Sequence, residues 1–456
     1  METAQQPHIA LFPSAGMGHL TPFLRLAAML SSRQCTVTLI TTQPVVSAAE
    51  SKHISHFLST HPQIKHLQFH LLPFHESDRT TDDPFFLQFE AVRRSVHLLH
   101  PLLLDSSPPL SAIVSDFVVA ANVGKVSMDL RIPNYIVSTS SANFFALIAS
   151  LPLLAYEGNA KLSIGCGNVT IAGLGLLPES SIPPPFFNPN HLFTRIIVSN
   201  SQYLPEAKGI LLNNFQWFEA ETLSALNNGS VLRNLPPVLP IGPLRPYEQE
   251  RDQELPWIDE QPAQSVVYIS FGSRTAMSKE QIKELGDGLE RSNCRFLWVL
   301  KTSKVDTDDK EEITELLGSS FLERTKNKGV VVQGWVNQEE VLAHPAIGGF
   351  VNHCGWNSVT EAALRGMPML AWPQHGDQRV NAEVVAKAGL GIWVKDWGWG
   401  VGRLVEGEEI GKRIGELMRD EELRARAGKV GEEARKAWGF GGSSEKALME
   451  IVEGLK

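Results

Sequence analysis

One stretch runs Trp335-Val336-Asn337-Gln338-Glu339-Glu340-Val341-Leu342-Ala343-His344-Pro345-Ala346-Ile347-Gly348-Gly349-Phe350-Val351-Asn352-His353-Cys354-Gly355-Trp356-Asn357-Ser358. It closes downstream with Pro368-Met369-Leu370-Ala371-Trp372-Pro373-Gln374-His375-Gly376-Asp377-Gln378. Residues 347–351 form an apolar strand that leads into His353 and Gly355. A helix then opens at Asn357-Ser358 and stops before Gly366. Hydroxyl, amide and backbone N–H groups at such a helix start make an anion site suited to a diphosphate. Trp335 offers a flat face to a base, and Glu361, one turn into the helix, a carboxylate to ribose hydroxyls. Asp377 and Gln378 suit vicinal sugar hydroxyls, since carboxylates accept hydrogen bonds and amides both donate and accept. Each residue alone fits core packing or helix capping equally well. Together they point to a nucleotide sugar.

Outward from this stretch, strands and helices alternate. Residues 265–270, 296–300, 330–332 and 369–372 read as further strands. Ser278 with Gln281 forms a capping box ahead of Ile282, Leu285 and Leu289. Ile410, Ile414, Leu417 and Met418 mark an amphipathic surface helix. The first half repeats the theme, with strands at 8–13, 36–41, 112–115 and 135–138 and a helix at 20–30. Between the halves lies a Pro/Gly-rich run, 236–243, followed by the polar segment 245–254, which reads as a linker. The pattern predicts an α/β protein of two Rossmann-like doubly wound domains facing a cleft, residues 1–244 and 255–456. The last helix is expected to pack back on the first domain.

Composition narrows the class. The 456 residues are 43% hydrophobic and 20% charged, which excludes global disorder. With 41 basic and 50 acidic residues the net charge is −9, which argues against a nucleic-acid partner. Four cysteines, Cys35, Cys166, Cys294 and Cys354, lie far apart and form no disulfide framework, as expected in a reducing compartment. The opening residues lack a basic n-region, so the apolar run at 8–13 is a strand and not part of a signal peptide. Residues 144–156, interrupted by Ser150 and Pro152, are too few to span a bilayer. A cytoplasmic location is expected, with the sequons at Asn168 and Asn228 left unmodified.

The first strand ends in Pro13-Ser14-Ala15-Gly16-Met17-Gly18-His19-Leu20-Thr21-Pro22. Gly16-x-Gly18 invites a dinucleotide site, but Thr21 stands at the third glycine position. No acidic residue follows the second strand until Glu50, so the ribose carboxylate of that motif is missing. Alternatively, the glycines leave room for a ligand and His19 opens the first helix. A helix N-terminus disfavours imidazolium, leaving a neutral base able to accept a proton. Asp116, directly after the strand at 112–115, is a carboxylate partner at the same sheet edge or a helix N-cap.

The stretch from Trp335 to Gln378 resembles the signature of the plant family 1 UDP-glycosyltransferases, and Ser270-Phe271-Gly272-Ser273 resembles that family's second phosphate loop. The resemblance covers essentially the whole chain and implies a GT-B fold. It further implies that Trp335 stacks on uracil, with the Val336 backbone bonding the base, and that Gln338 and Glu361 meet the ribose. Ser273, His353, Asn357 and Ser358 would meet the diphosphate, and Trp356, Asp377 and Gln378 the sugar. His19 would be the base and Asp116 its partner, with no metal or other cofactor. One departure is Val336-Asn337, where the family commonly has Ala-Pro. Asp82-Asp83-Pro84-Phe85-Phe86-Leu87-Gln88-Phe89-Glu90, with Gly16-Met17-Gly18-His19 and Phe271-Gly272-Ser273-Arg274, is similar to flavonoid C-glucosyltransferases acting on 2-hydroxyflavanones and phloretin-type acceptors.

The chemistry implied is inverting displacement at the anomeric carbon of UDP-glucose by a phenolic acceptor. A phenol of pKa ~10 facing an imidazole of ~6.5 leaves a gap of about 5 kcal/mol, part of which Asp116 can close. Acceptor walls are expected from loops at 83–89, 139–145 and 182–193, with Phe85, Phe86, Phe89, Ser140, Phe144 and Phe186 as contacts. The alternatives are an O-glucosyltransferase using the same site, an NAD-dependent oxidoreductase, and a silent nucleotide-sugar-binding protein.

Overall fold

A computed structural model describes residues 6–73, 83–156, 168–247, 256–272, 275, 277–302, 312–400 and 402–456. Ser273, Arg274, Asp82, Cys166 and most of the expected linker lie outside the described residues. The chain forms two compact units, one of Met1–Gln249 with Lys436–Lys456, the other of Glu250–Arg435.

In the first unit, β1 (His8–Phe12), β2 (Thr36–Gln43), β3 (Lys65–His70), β4 (Ala112–Asp116) and β5 (Asn134–Ser138) belong to one sheet. A hairpin of β6 (Val169–Ile171) and β7 (Gly175–Leu177) stands apart, and β8 (Gly209–Leu212) and β9 (Val238–Pro240) complete the large sheet. Its order is β3-β2-β1-β4-β5-β8-β9, with every pairing parallel. β1, β4 and β5 are buried along their whole length, as the interior strands of a sheet covered on both faces must be. The tail joins this unit through Leu448, Ile451 and Val452, which share a core with Leu24 and Val37. There Trp438 donates from Nε1 to the Pro243 carbonyl at 2.8 Å, and Ser444 Oγ donates to Gly242 at 2.6 Å. The Arg33 and Arg245 guanidinium carbons each lie 5.5 Å from the Trp438 ring.

The second unit repeats the plan with β10 (Val266–Ser270), β11 (Arg295–Leu300), β12 (Gly329–Gln333), β13 (Ile347–Asn352), β14 (Met369–Ala371) and β15 (Gly391–Trp393). The order β12-β11-β10-β13-β14-β15 is again parallel throughout. Ser278 caps the helix Lys279–Ser292 by accepting from Gln281 N at 3.2 Å. The reciprocal half of the expected box does not form. The Gln281 carboxamide instead makes paired 2.9 Å bonds with the backbone of Val405. This ties the helix to the segment before Gly407–Arg419, whose Ile410, Ile414 and Leu417 are fully buried. Gly288 lets the two helices touch, since a Cβ there would sit 2.7 Å from the Ile410 side chain.

In both sheets the chain order reverses beside the first strand, between β1 and β4 and between β10 and β13. Loops leaving the carboxyl ends of those strands diverge there and open a crevice where α/β proteins bind ligands. Each unit therefore presents one such point, and the sequence-predicted residues cluster at both. Among the described residues no helix is long and apolar enough to cross a membrane.

Candidate active site

At the first switch point, β1 passes through Gly16 into the helix Met17–Ser31. Gly16 has φ +99°, and a Cβ there would stand 3.1 Å from the Phe85 ring, so the turn requires glycine. This turn puts His19 in the first helical turn. Its Nδ1 lies 2.8 Å from Asp116 Oδ2. Asp116 is 1% exposed, and its other oxygen accepts from Val118 N at 3.0 Å, capping the short helix Phe117–Val119. The two alternatives for Asp116 thus hold together: one oxygen caps, the other orients the imidazole. A carboxylate only accepts, so this pairing puts the proton on Nδ1 and leaves Nε2 as the acceptor. Thr139 Oγ1, after β5, stands 3.3 Å from the same Nδ1.

An aromatic wall leads away from His19. Its ring lies 6.3 Å from Phe89, which meets Phe86 at 6.3 Å, and Phe86 meets Phe193 at 5.8 Å. Phe193 stacks on Phe186 at 5.5 Å with planes 2° apart, and Phe186 stacks on Phe144 at 6.2 Å. Aromatic pairs of this kind stabilise by about 0.5–1.5 kcal/mol each beyond area burial. Of the expected contacts, Phe86, Phe89, Phe144 and Phe186 are thus linked in one wall, but the expectation of loops is overturned. Residues 84–95 are a helix capped by Asp83, whose carboxylate accepts from Phe85 N at 2.9 Å. Ala142–Tyr156 is also helical, and the third segment combines the 3-10 turn Pro184–Phe187 with the start of the helix Leu192–Tyr203. Pro84 at the first helical position, behind an Asp cap, was the available signal. Phe186 is fully buried and backs the wall from behind, while Phe86 is half-buried. Ser140 is 9% exposed, and a carboxylate from afar fixes the helix that follows it: Glu219 accepts from Ala142 N at 2.9 Å and Asn143 N at 2.8 Å.

The second switch point is built differently. β13 ends in a turn where Cys354 adopts φ +63°, its N–H donating to Asn352 Oδ1 at 2.6 Å. The helix Trp356–Arg365 starts directly behind it and ends at left-handed Gly366. His353 is wedged between two glycines. A Cβ on Gly272 would lie 2.6 Å from its Cε1, and one on Gly355 2.6 Å from its Nε2. Burial, with a smaller contribution from His375, pushes the His353 pKa down to about 3, so the ring is neutral. Its Nδ1 is buried with no protein partner, which fits a ligand atom at this point. Trp356 is 3% exposed, so its indole is core, and what it can offer a ligand is its N–H in the first helical turn.

Trp335 is half exposed, on the loop after β12, whereas Val336 is buried. Gln338, Ser358 and Glu361 form one cluster: Gln338 Nε2 donates to Ser358 Oγ at 3.0 Å and to Glu361 Oε2 at 2.7 Å. Beneath it Tyr268 is fully enclosed, and burial raises its phenol pKa. Past β14, Gln378 Oε1 accepts from Gln374 N at 2.8 Å and His375 N at 2.9 Å, holding the turn that ends in Asp377. Asn381 links both regions, donating to the Cys354 carbonyl at 3.0 Å and to Asp377 Oδ2 at 2.8 Å. Sequence reasoning missed Asn381, although its i,i+4 spacing from Asp377 was a usable signal. Among the described residues no group of three or more His, Cys, Asp or Glu could hold a metal ion.

The two parallel sheets, of seven and six strands, both reverse chain order beside their first strand, and the sequence has known relatives. Residues 237–397 match the family described as UDP-glucoronosyl and UDP-glucosyl transferase. Over 459 residues the chain is 50% identical to UDP-glycosyltransferase 708G2 of Citrus unshiu, covering 99% of this chain and 97% of that protein. The chain belongs to the plant family 1 UDP-glycosyltransferases, enzymes of GT-B fold. Within that family it is 47% identical to UDP-glycosyltransferase CGT of Oryza sativa subsp. japonica, over 98% of this chain and 96% of that one. The solved structure of LpCGTa in complex with UDP superposes with a TM-score of 0.88 at 48% identity, covering 99% of this chain and all of that one.

Proposed function

We propose that the protein is an inverting, UDP-glucose-dependent C-glucosyltransferase of flavonoid-type phenols. On this proposal residues 1–244 take the acceptor, a 2-hydroxyflavanone or phloretin-like phloroglucinol ring, and residues 255–456 take the donor. His19 Nε2 removes the phenolic proton while Asp116 supports the imidazolium that forms. The ortho ring carbon of the phenolate bonds C1 of glucose with inversion, UDP leaves with the C1–O electron pair, and loss of the proton from that ring carbon restores the aromatic ring. The His19–Asp116 bond of 2.8 Å carries the proposal, because it leaves one ring nitrogen able to take a proton. A phloroglucinol phenolate shares its charge with the ortho carbons, so the same base can yield a C–C or a C–O bond. The outcome follows which atom is held ~3–3.5 Å from C1. Half the chain's residues are shared with full-length relatives, including proteins named CGT, which supports the carbon-linked product.

Trp335 would stack on uracil, bonded also by the Val336 backbone, with Gln338 and Glu361 at the ribose. His353, Asn357 and Ser358, with Ser273, would hold the diphosphate, and Asp377, Gln378 and the Trp356 amide the hexose. The donor site works without a metal, in the cytosol. The second candidate is O-glucosylation, favoured by 32% identity to an anthocyanidin 5,3-O-glucosyltransferase of a Rosa hybrid cultivar. Tandem mass spectrometry of the product from UDP-glucose and phloretin separates the two. Cross-ring losses from the sugar are expected; clean loss of the whole hexose from every product would leave the O-linked alternative.

A further inference from the structure

Directly after Gln378 comes an arginine with no acidic partner among the described residues. Arg379 is 6% exposed, and its Nε is buried without a hydrogen-bond partner. Burial lowers its pKa and no carboxylate offsets that effect. Its guanidinium carbon lies 5.5 Å from the Trp393 ring and 5.3 Å from the Trp399 ring. Nη2 reaches the Lys395 carbonyl at 3.5 Å, and Lys395 Nζ lies 4.8 Å from the Trp393 ring. A planar, weakly hydrated guanidinium is the cation suited to lying between two indoles.

Two further contacts join the same two segments. Trp372, just before the Gln374–Gln378 turn, meets Trp397 at 4.5 Å. Gly400 lies so close to Gln374 that a Cβ would fall 1.6 Å from the carboxamide oxygen. Gln374 itself donates its backbone N–H to Gln378 Oε1 at 2.8 Å. Trp397, Trp399 and Gly400 thus meet Trp372, Arg379 and Gln374 in turn, so the segment after β15 runs along the turn after β14. We infer that Arg379, clamped between Trp393 and Trp399, is a positioning residue that presses the Trp397–Gly400 segment onto the Gln374–Gln378 turn and so sets which hexose that turn accepts. This rests on the proposed role of Asp377 and Gln378 at the hexose. It assigns the specificity of the donor site to residues outside the Trp335–Gln378 stretch.

The test compares UDP affinity by calorimetry with KM for UDP-glucose and for UDP-galactose, its 4-epimer. Arg379→Met is expected to raise KM for UDP-glucose about tenfold, the loss of a desolvated cation–π contact, and to narrow the preference between epimers. UDP affinity should stay at the wild-type value. Arg379→Lys should recover only part, because an ammonium cannot stack on both rings. Gly400→Ala keeps the guanidinium and displaces Gln374, so it should give the same signature and serves if Arg379→Met does not fold. Gln378→Ala in the same assays separates the two levels. If Gln378→Ala is selective for the sugar while the Arg379 and Gly400 variants are not, the clamp is wrong. If Gln378→Ala weakens UDP and UDP-glucose alike, the hexose assignment beneath it falls.

Discussion

The two switch points share a strand order and little else. After β1 and β4, an imidazole faces a buried carboxylate: His19 and Asp116 can hold and move a proton. After β10 and β13, the histidine has no carboxylate partner among the described residues. His353 is kept neutral by burial between Gly272 and Gly355, next to the start of the helix Trp356–Arg365. A bound anion needs donors that remain donors across the working pH range, and a neutral ring with helix amides supplies them. A base needs a lone pair and support for the charge it acquires. On the proposed function the same topology would serve both purposes, because the loops, rather than the sheets, set the electrostatics.

If that division is right, perturbations of each point should separate. The largest effect is expected at the proton-handling side, where His19→Ala should lower kcat by about a thousandfold or more. Turnover near wild type at saturating substrates would remove His19 from the chemistry. Asp116→Asn should cost less, about a hundredfold, since the base stays and only its charge support weakens. An equal loss in both variants would mean that Asp116 acts chiefly by holding the loop through Val118. On the other side, Trp335→Ala should weaken UDP and UDP-glucose together by about tenfold, as lost base stacking implies. A loss confined to UDP-glucose would move Trp335 from the base to the sugar.

A smaller effect tests the neutral histidine. The His353 pKa in the folded chain, about 3, lies below its ordinary value of 6.5. The neutral form is therefore compatible with folding above about pH 6.5, and stability is lost as pH falls from there toward 3. Urea unfolding followed against pH should show this slope, and His353→Gln should flatten it. A slope unchanged in that variant would assign the acid sensitivity to other groups.

Much of this was legible in the sequence, for reasons that particular residues make plain. Strand runs such as 266–270 and 347–351 are continuous apolar segments bounded by glycine or polar residues, and the sheets follow from them. His19 and Asp116 were legible because both lie at the carboxyl ends of strands of the first sheet, His19 in the helix turn that follows β1 and Asp116 at the last position of β4. What stayed hidden required three-dimensional neighbours. Nothing in sequence ties Thr139 to His19, or Glu219 to the amides of Ala142 and Asn143, since those pairs are set by how strands order in the sheet. Cys354 gave no sign of its left-handed backbone because that conformation is imposed by Asn352 and Asn381. The Asp83–Phe89 segment was expected as a loop because its aromatic residues obscured helical periodicity, although Asp83-Pro84 announced a helix start.

The most direct test of the division is calorimetric titration of UDP into the His19→Ala variant. UDP should bind with wild-type affinity and enthalpy while transfer from UDP-glucose is lost. Loss of UDP binding in parallel with transfer would contradict the separation of proton handling from anion binding.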